Sequence, residues 1–312
     1  MSASAPITAG SGAAAVARAR AASERRRRPR RRLPTGWALV REVLFYLACL
    51  VVLFVSLFPF YWILRTSLQS DSTVSAGVSA TGIGPGHITT SAYSNDFSQQ
   101  HFLTPLANSA IVALACTAVT IVVATMAGYA LARLPIRGKG AILAFALIAG
   151  FFPVLAMIGP LFLLFKDLGV LDQIWPLIVV YLVYTLPIAT WLLRNFFAQI
   201  PKDLEEAAMV DGATRLQALR RVVVPVAVPG VFTAAILAFI LAWNDFAFAV
   251  SFLQTPGHFT APVAIVNFGQ SQFQVFYNRI DAAVVIISIP IALLVLFAQR
   301  RIVAGLTAGA IR

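Results

Sequence analysis

Six long runs of apolar residues alternate with shorter polar segments along this chain. They fall near residues 43–65, 106–132, 141–165, 173–194, 224–250 and 282–299. A helix needs about 20 mostly apolar residues to cross the roughly 30 Å hydrocarbon core of a bilayer. The first run, Val43 to Leu64, contains no charge at all. In lipid every backbone N–H and C=O must be paired inside the protein, and runs this long do that as helices, not as barrel strands. The pattern predicts an all-α integral membrane protein with six transmembrane helices. Pro153 and Pro160 lie in the third run, Pro176 and Pro187 in the fourth. Each removes a backbone donor and bends its helix. Such bends either shape a pathway or are simply tolerated, with neighbours satisfying the freed carbonyls.

Charge then orients the chain. Of 24 basic residues, 21 fall in the N-terminal tail, the segments after the second and fourth runs, and the C-terminus. Arg65, Lys166 and Arg279 are left for the other side. Positive residues gather on the cytoplasmic face, so both termini are expected in the cytoplasm of a multi-pass plasma-membrane protein. The net charge of +12 is mostly this signal plus the run Arg25 to Arg32. Beside a span, that run is expected to touch anionic lipid headgroups rather than nucleic acid. Residues 1–40 read as a disordered Arg-rich cytoplasmic tail, and 41–312 as the transmembrane domain. The tail does not fit a signal peptide, because Phe58-Pro59-Phe60-Tyr61-Trp62 replaces a small-residue cleavage site. Those aromatics suit the outer membrane interface.

Cys49 and Cys116 lie inside spans and read as small buried hydrophobes. His87, His101 and His258 are widely spaced and suggest no metal site. The polar loop at about 67–105 is long enough to be a docking surface or a plain linker.

The segment after the fourth run, about 195–225, is the most specific. Ile200-Pro201-Lys202-Asp203-Leu204-Glu205-Glu206-Ala207-Ala208 opens with a proline in the first-turn position and acids near the positive end of a helix. Gly212 is placed to end that helix in the left-handed conformation. Thr214-Arg215-Leu216-Gln217 fits a capping box that starts a second helix. The prediction is two short helices with a Gly hinge on the cytoplasmic face. Leu204, Ala207, Ala208 and Leu216 supply apolar contact to a partner's groove, and the acids orient it. An elbow lying on lipid is the plainer alternative.

This stretch resembles the coupling motif of the permeases of ATP-binding-cassette (ABC) importers. Their pattern is Glu-Ala-Ala, three residues, Gly, nine residues, Ile-x-Leu-Pro. Here Glu206-Ala207-Ala208 leads to Gly212, and Val222-Val223-Val224-Pro225 closes the pattern with Val at both aliphatic positions. Ala242-Trp243-Asn244-Asp245-Phe246, Thr260-Ala261-Pro262-Val263-Ala264 and Gln299 to Ala310 are similar to the carbohydrate, maltose/trehalose-type branch. The resemblance covers about 40–312, and the chain ends in Ile311-Arg312 without that branch's usual Lys-Gly.

The resemblance implies a type I importer permease fold and import of a sugar, such as the disaccharides trehalose or maltose. It implies two cytoplasmic ATP-binding subunits, a second homologous permease, and an extracytoplasmic substrate-binding protein or lipoprotein. ATP and Mg would bind in the partners, with no cofactor in this chain. Glu205, Glu206, Ala207, Ala208, Asp211 and Gly212 would meet an ATP-binding subunit and perform no chemistry. The chain has no Gly-x-x-x-x-Gly-Lys phosphate loop and no assembled catalytic set, so an enzyme is not expected.

Trp243, Asn244 and Asp245 in the fifth run, with Tyr184 in the fourth, are the candidate sugar contacts. An ionisable group in a span faces the bundle interior or a watery cavity. Hydroxyl-bonding groups beside aromatic faces suit a sugar ring, although the same groups also serve to pair neighbouring helices. Tyr181, Thr185 and Asn267 are weaker candidates, and Asp281 fits a helix N-terminal acid. The competing class is a stand-alone, ion-coupled secondary transporter of a small polar solute. It would show internal repeats and mid-membrane acids. No repeat is visible, and Asp245 is the one such acid.

Overall fold

The computed structural model describes residues 36–77, 84, 87–98, 100–268 and 275–308. The expected tail through residue 35, most of the glycine-rich turn at 81–86 and residues 309–312 lie outside the described residues. The chain divides into two compact units at Pro59–Phe60. Helix α1, Gly36–Ser67, has 32 residues, about 48 Å at 1.5 Å per residue. Its described side chains before residue 60 are exposed, and from Val43 onward nearly all are apolar on every face, as suits a helix whose solvent is lipid.

The second unit is built on two long helices, α4 (Leu103–Arg133) and α7 (Trp175–Gln199). Apolar side chains gain little from leaving lipid for each other, so close van der Waals contact must join them. Gly128 permits that contact. A Cβ on it would lie 3.0 Å from the Arg194 backbone nitrogen and 3.3 Å from the Thr190 carbonyl oxygen. Helix α10 (Val228–Trp243) packs against both. Near one end of this three-helix core, Val112, Cys116, Leu177, Tyr181, Phe239 and Phe252 are buried together. Near the other, Ala124, Tyr129, Leu193, Phe197, Leu219 and Val223 are.

Among the described residues, four helices are long and apolar enough to cross a membrane alone: α1, α4, α7 and α13 (Tyr277–Ala308). The third and fifth expected spans are broken. Helices α5 (Lys139–Gly150) and α6 (Val154–Asp167) meet at 84°. Pro153 lacks an N–H and disfavours a helical Phe152, so the helix stops there instead of merely bending. Gly150 lies against Pro187 of α7, where a Cβ would come 3.1 Å from the ring. Helix α9 (Arg215–Val226) turns by 83° at Ala227 into α10. Within α9, residues Leu219–Val223 form a π-helical turn. The expected helix over 224–250 therefore begins only at Val228, with Pro229 in its first turn, and breaks at 244–246 before α11 (Ala247–Phe252). Taking each bent pair as one span gives the six expected crossings.

Short elements close the end of the bundle away from Arg133. They are α2 (Asp71–Ser75), α3 (Ser91–Ser98) and α12 (Ala261–Phe268). The Asn108 amide donates to the carbonyls of Gly257 and Phe259, both at 3.0 Å. Asp172 accepts from the backbone N–H groups of Gln254 and Thr255 at 2.7 and 2.9 Å. His258 Nδ1 stands 3.3 Å from the same carboxylate. Burial pushes this carboxyl up, but the bonds from Thr255, Gln254 and His258 outweigh it and hold Asp172 down at about 2.

Candidate functional site

Helix α8, Lys202–Val210, follows α7 after the Ile200–Pro201 turn. Pro201 is its N-cap, and Asp203 and Glu205 occupy its first turn, where the unpaired N–H groups favour negative charge. Its end is a Schellman closure. The Ala213 N–H donates to the Ala208 carbonyl at 3.0 Å and the Gly212 N–H to that of Met209 at 3.1 Å. Gly212 takes φ +88°, which a residue with a Cβ adopts only under strain. The next helix starts with the expected capping box: Gln217 N–H donates to Thr214 Oγ1 at 3.3 Å, and Thr214 N–H to Gln217 Oε1 at 2.8 Å.

The predicted contact residues separate into two sets. Glu206, Ala207, Asp211 and Gly212 are exposed, and Ala208 is half-buried. Leu204, Val210 and Leu216 are exposed beside them, giving an apolar face rimmed by acids. Glu205 points the other way and is only 6% exposed. It accepts a hydrogen bond from the Tyr129 hydroxyl. Arg133 Nε stands 3.2 Å from its other oxygen, close enough for an ion pair though off the hydrogen-bond axis. Arg133 also donates through Nη2 to the Ile200 carbonyl at 2.6 Å. The Tyr129 ring meets Phe197 of α7 edge-on, with centroids 6.4 Å apart.

Tyr129 and Arg133 were not singled out from sequence. Arg133 reads there as one more positive residue at a span end. The available signal is their spacing of four, which puts both on one face of α4.

Inside the bundle, the candidate sugar contacts also divide. The Tyr181 hydroxyl donates to Asp245 Oδ2 at 2.7 Å, and the Ala249 N–H donates to the same oxygen at 3.2 Å. Tyr184 lies beside Tyr181, ring centroids 5.8 Å apart, and its buried hydroxyl has no partner among the described residues. Thr120 and Thr185 share a hydrogen bond of 2.9 Å deeper in, with Cys116 Sγ 3.7 Å from Thr185. Asp245 and Tyr184 thus belong to one polar cluster at the break between α10 and α11. Trp243 is buried, stacked on Phe239, and its indole N–H donates to the Ile287 carbonyl at 3.2 Å. The Asn244 amide donates to the Ile240 carbonyl of its own helix at 2.9 Å. Among the described residues no His, Cys, Asp and Glu cluster is arranged to hold a metal.

Helix α8 is thus an exposed short helix inserted between the spans α7 and α10. The model of binding-protein-dependent transport system inner membrane components matches residues 121–307. The chain belongs to that family. It is 44% identical over 259 residues to the trehalose transport system permease protein SugB of Mycobacterium tuberculosis, covering 82% of this chain and 93% of that protein. It is 41% identical to the sulfoquinovosyl glycerol transport system permease protein SmoH of Agrobacterium fabrum, covering 86% and 93%. It is 34% identical to the trehalose/maltose transport system permease protein MalG of Thermococcus litoralis, covering 88% and 98%. A bacterial ABC transporter that imports the acidic polysaccharide alginate has a chain of the same fold, with a TM-score of 0.71 at 23% identity over 86% of this chain and 99% of that one. This permease is therefore a multi-pass membrane subunit of a binding-protein-dependent importer. A stand-alone secondary transporter is set aside.

Proposed function

We propose that this permease carries a sugar, a disaccharide such as trehalose or maltose, across the plasma membrane for an ATP-driven importer. The observation that carries the mechanism is α8. It presents Leu204, Glu206, Ala207 and Val210 outward, is closed by Gly212, and projects from the Arg133 end of the bundle. Two cytoplasmic subunits would bind ATP and Mg, one of them seating α8 in a surface groove. A second homologous permease would complete the pathway, and a binding protein or lipoprotein would deliver sugar from outside. The termini would lie in the cytoplasm, on the α8 side. Closure of the ATP-binding pair would then push α8 and rock the helices attached to it.

The sugar reading is supported by the relatives, whose names specify trehalose, maltose and sulfoquinovosyl glycerol. Tyr184 and Asp245 would offer a hydroxyl and a carboxylate to a passing ring. The test is uptake of labelled trehalose and maltose by cells with and without this gene. Loss of uptake of one disaccharide, restored by the gene and abolished by depleting ATP, is expected. Unchanged uptake of both would overturn the disaccharide reading.

A further inference from the structure

The chain leaves α8 toward the next span through three soft joints. The first is the left-handed Gly212. The second is the π-helical turn Leu219–Val223, and the third is the 83° bend at Ala227. A push on α8 along that covalent path would be absorbed by torsion at each joint. A second route runs through side chains. Glu205 enters the bundle and meets Tyr129 and Arg133, one turn apart at the end of α4. Arg133 also holds the Ile200 carbonyl, and Tyr129 packs on Phe197, so the end of α7 is tied into the same knot. Glu205, Tyr129 and Phe197 are 6%, 7% and 0% exposed, and water does not compete for these bonds. Moving Glu205 away from Arg133 would leave a buried charge uncompensated, which is strongly unfavourable.

We infer that Glu205 is a pin that fastens the coupling helix to the second span, with Tyr129 and Arg133 as the positioning residues that hold it. Glu205 is not a contact for the ATP-binding subunit. By this account α8, the end of α4 and the end of α7 move as one rigid body. The push then enters the span pair whose backbones approach at Gly128, bypassing the soft joints. The inference rests on the proposed role of α8 as the segment that ATP-binding subunits drive.

The test uses the complete complex, co-purified with its partners and reconstituted in proteoliposomes, with ATP hydrolysis and sugar uptake measured together. Glu205→Gln keeps the side-chain volume and still accepts from Tyr129, but leaves Arg133 without its counter-charge. The expected result is uptake lowered on the order of tenfold per ATP hydrolysed, within the range seen when residues that carry coupling are changed. Tyr129→Phe is expected to shift the same ratio less. An unchanged ratio in both variants overturns the pin. A wild-type complex that shows no ATP-dependent uptake instead overturns the underlying reading of α8.

If Glu205→Gln fails to assemble, spin labels on Lys202→Cys and Arg137→Cys, both exposed, decide the matter in an otherwise intact complex. Their separation is expected to stay constant between the nucleotide-free and ATP-trapped states. A change beyond the roughly 1–2 Å of an ordinary helix shift overturns the rigid-body account.

Discussion

Asp96 on α3 makes the packing of the outer segments dependent on pH. Its side chain has no exposed surface, and neither carboxyl oxygen has a hydrogen-bond partner among the described residues. Burial pushes its carboxyl up from 3.8 to about 7, with Arg279 of α13 pulling weakly the other way. Arg279 is committed elsewhere, its Nη2 being 2.8 Å from Asp71. Burial also raises the Asp71 carboxyl, but hydrogen bonds from Arg279 and Asn278 outweigh that and lower it. The docked form of α3 therefore binds a proton on Asp96 more tightly than the undocked form. Docking is unaffected by pH below 3.8, weakens as pH rises toward 7, and stays weak above it.

Each pH unit well inside that window is worth about 1.4 kcal/mol, tapering near its ends, so docking loses roughly 2.3 kcal/mol between pH 5 and pH 7. The opening equilibrium of α3 is expected to rise about 50-fold over those two units. Hydrogen–deuterium exchange of residues 91–98 in the reconstituted protein, corrected for the intrinsic pH dependence of exchange, reads this directly. Asp96→Asn removes the titrating group and is expected to flatten the profile. A flat wild-type profile, or the same slope in the Asn variant, refutes the reasoning.

Other outcomes follow from single sites. Gly230→Ala puts a Cβ 2.4 Å from Cγ of Phe196, at the base of the ring where it cannot swing away freely. Overpacking of this kind costs about 1–3 kcal/mol; a lowered melting temperature in detergent, recovered by adding Phe196→Ala, is expected. Gly212→Val, at φ +88° but with open space around it, is expected to cost about 1–3 kcal/mol from backbone strain alone. Gly212→Asn should be milder, and α8 amide exchange measures the difference. Asp172→Ala is expected to expose the 254–258 loop to exchange. In the wild type the stabilisation from Asp172 is full above 3.8 and disappears only as pH falls toward about 2, so loop exchange at neutral pH should not vary with this group.

Local chemistry was readable in the sequence where neighbours along the chain decide the structure. The capping box at Thr214 and Gln217 and the glycine closure at Gly212 need only residues within a turn or two, and both stand where the pattern puts them. Apolar runs located the spans for the same reason, since each satisfies its own backbone. What the pattern hid was set by distant contacts. Glu205 and Glu206 are adjacent and chemically identical, yet one is buried against α4 and the other faces outward. Arg133, 72 positions away, makes that difference. Trp243 reads as an aromatic beside polar groups, but its indole N–H is taken up by the carbonyl of Ile287 on α13. The sharp breaks at 151–153 and Ala227 were half-visible as prolines, which mark a bend without giving its angle. Asp96 carried no signal, because a lone acid in a Ser-rich loop looks solvated until α3 is packed against α13.

The proposed role of α8 is to be the surface through which ATP-binding subunits drive this permease. Cysteine crosslinking tests it most directly. Val210→Cys lies on the outward face, with the native side chain 87% exposed, and Glu205→Cys lies on the inward one. The account predicts that Val210→Cys crosslinks to an ATP-binding subunit in native membranes, in a nucleotide-dependent yield, and that Glu205→Cys does not. Crosslinking from position 205 but not 210, or from neither while the complex remains assembled, would contradict it.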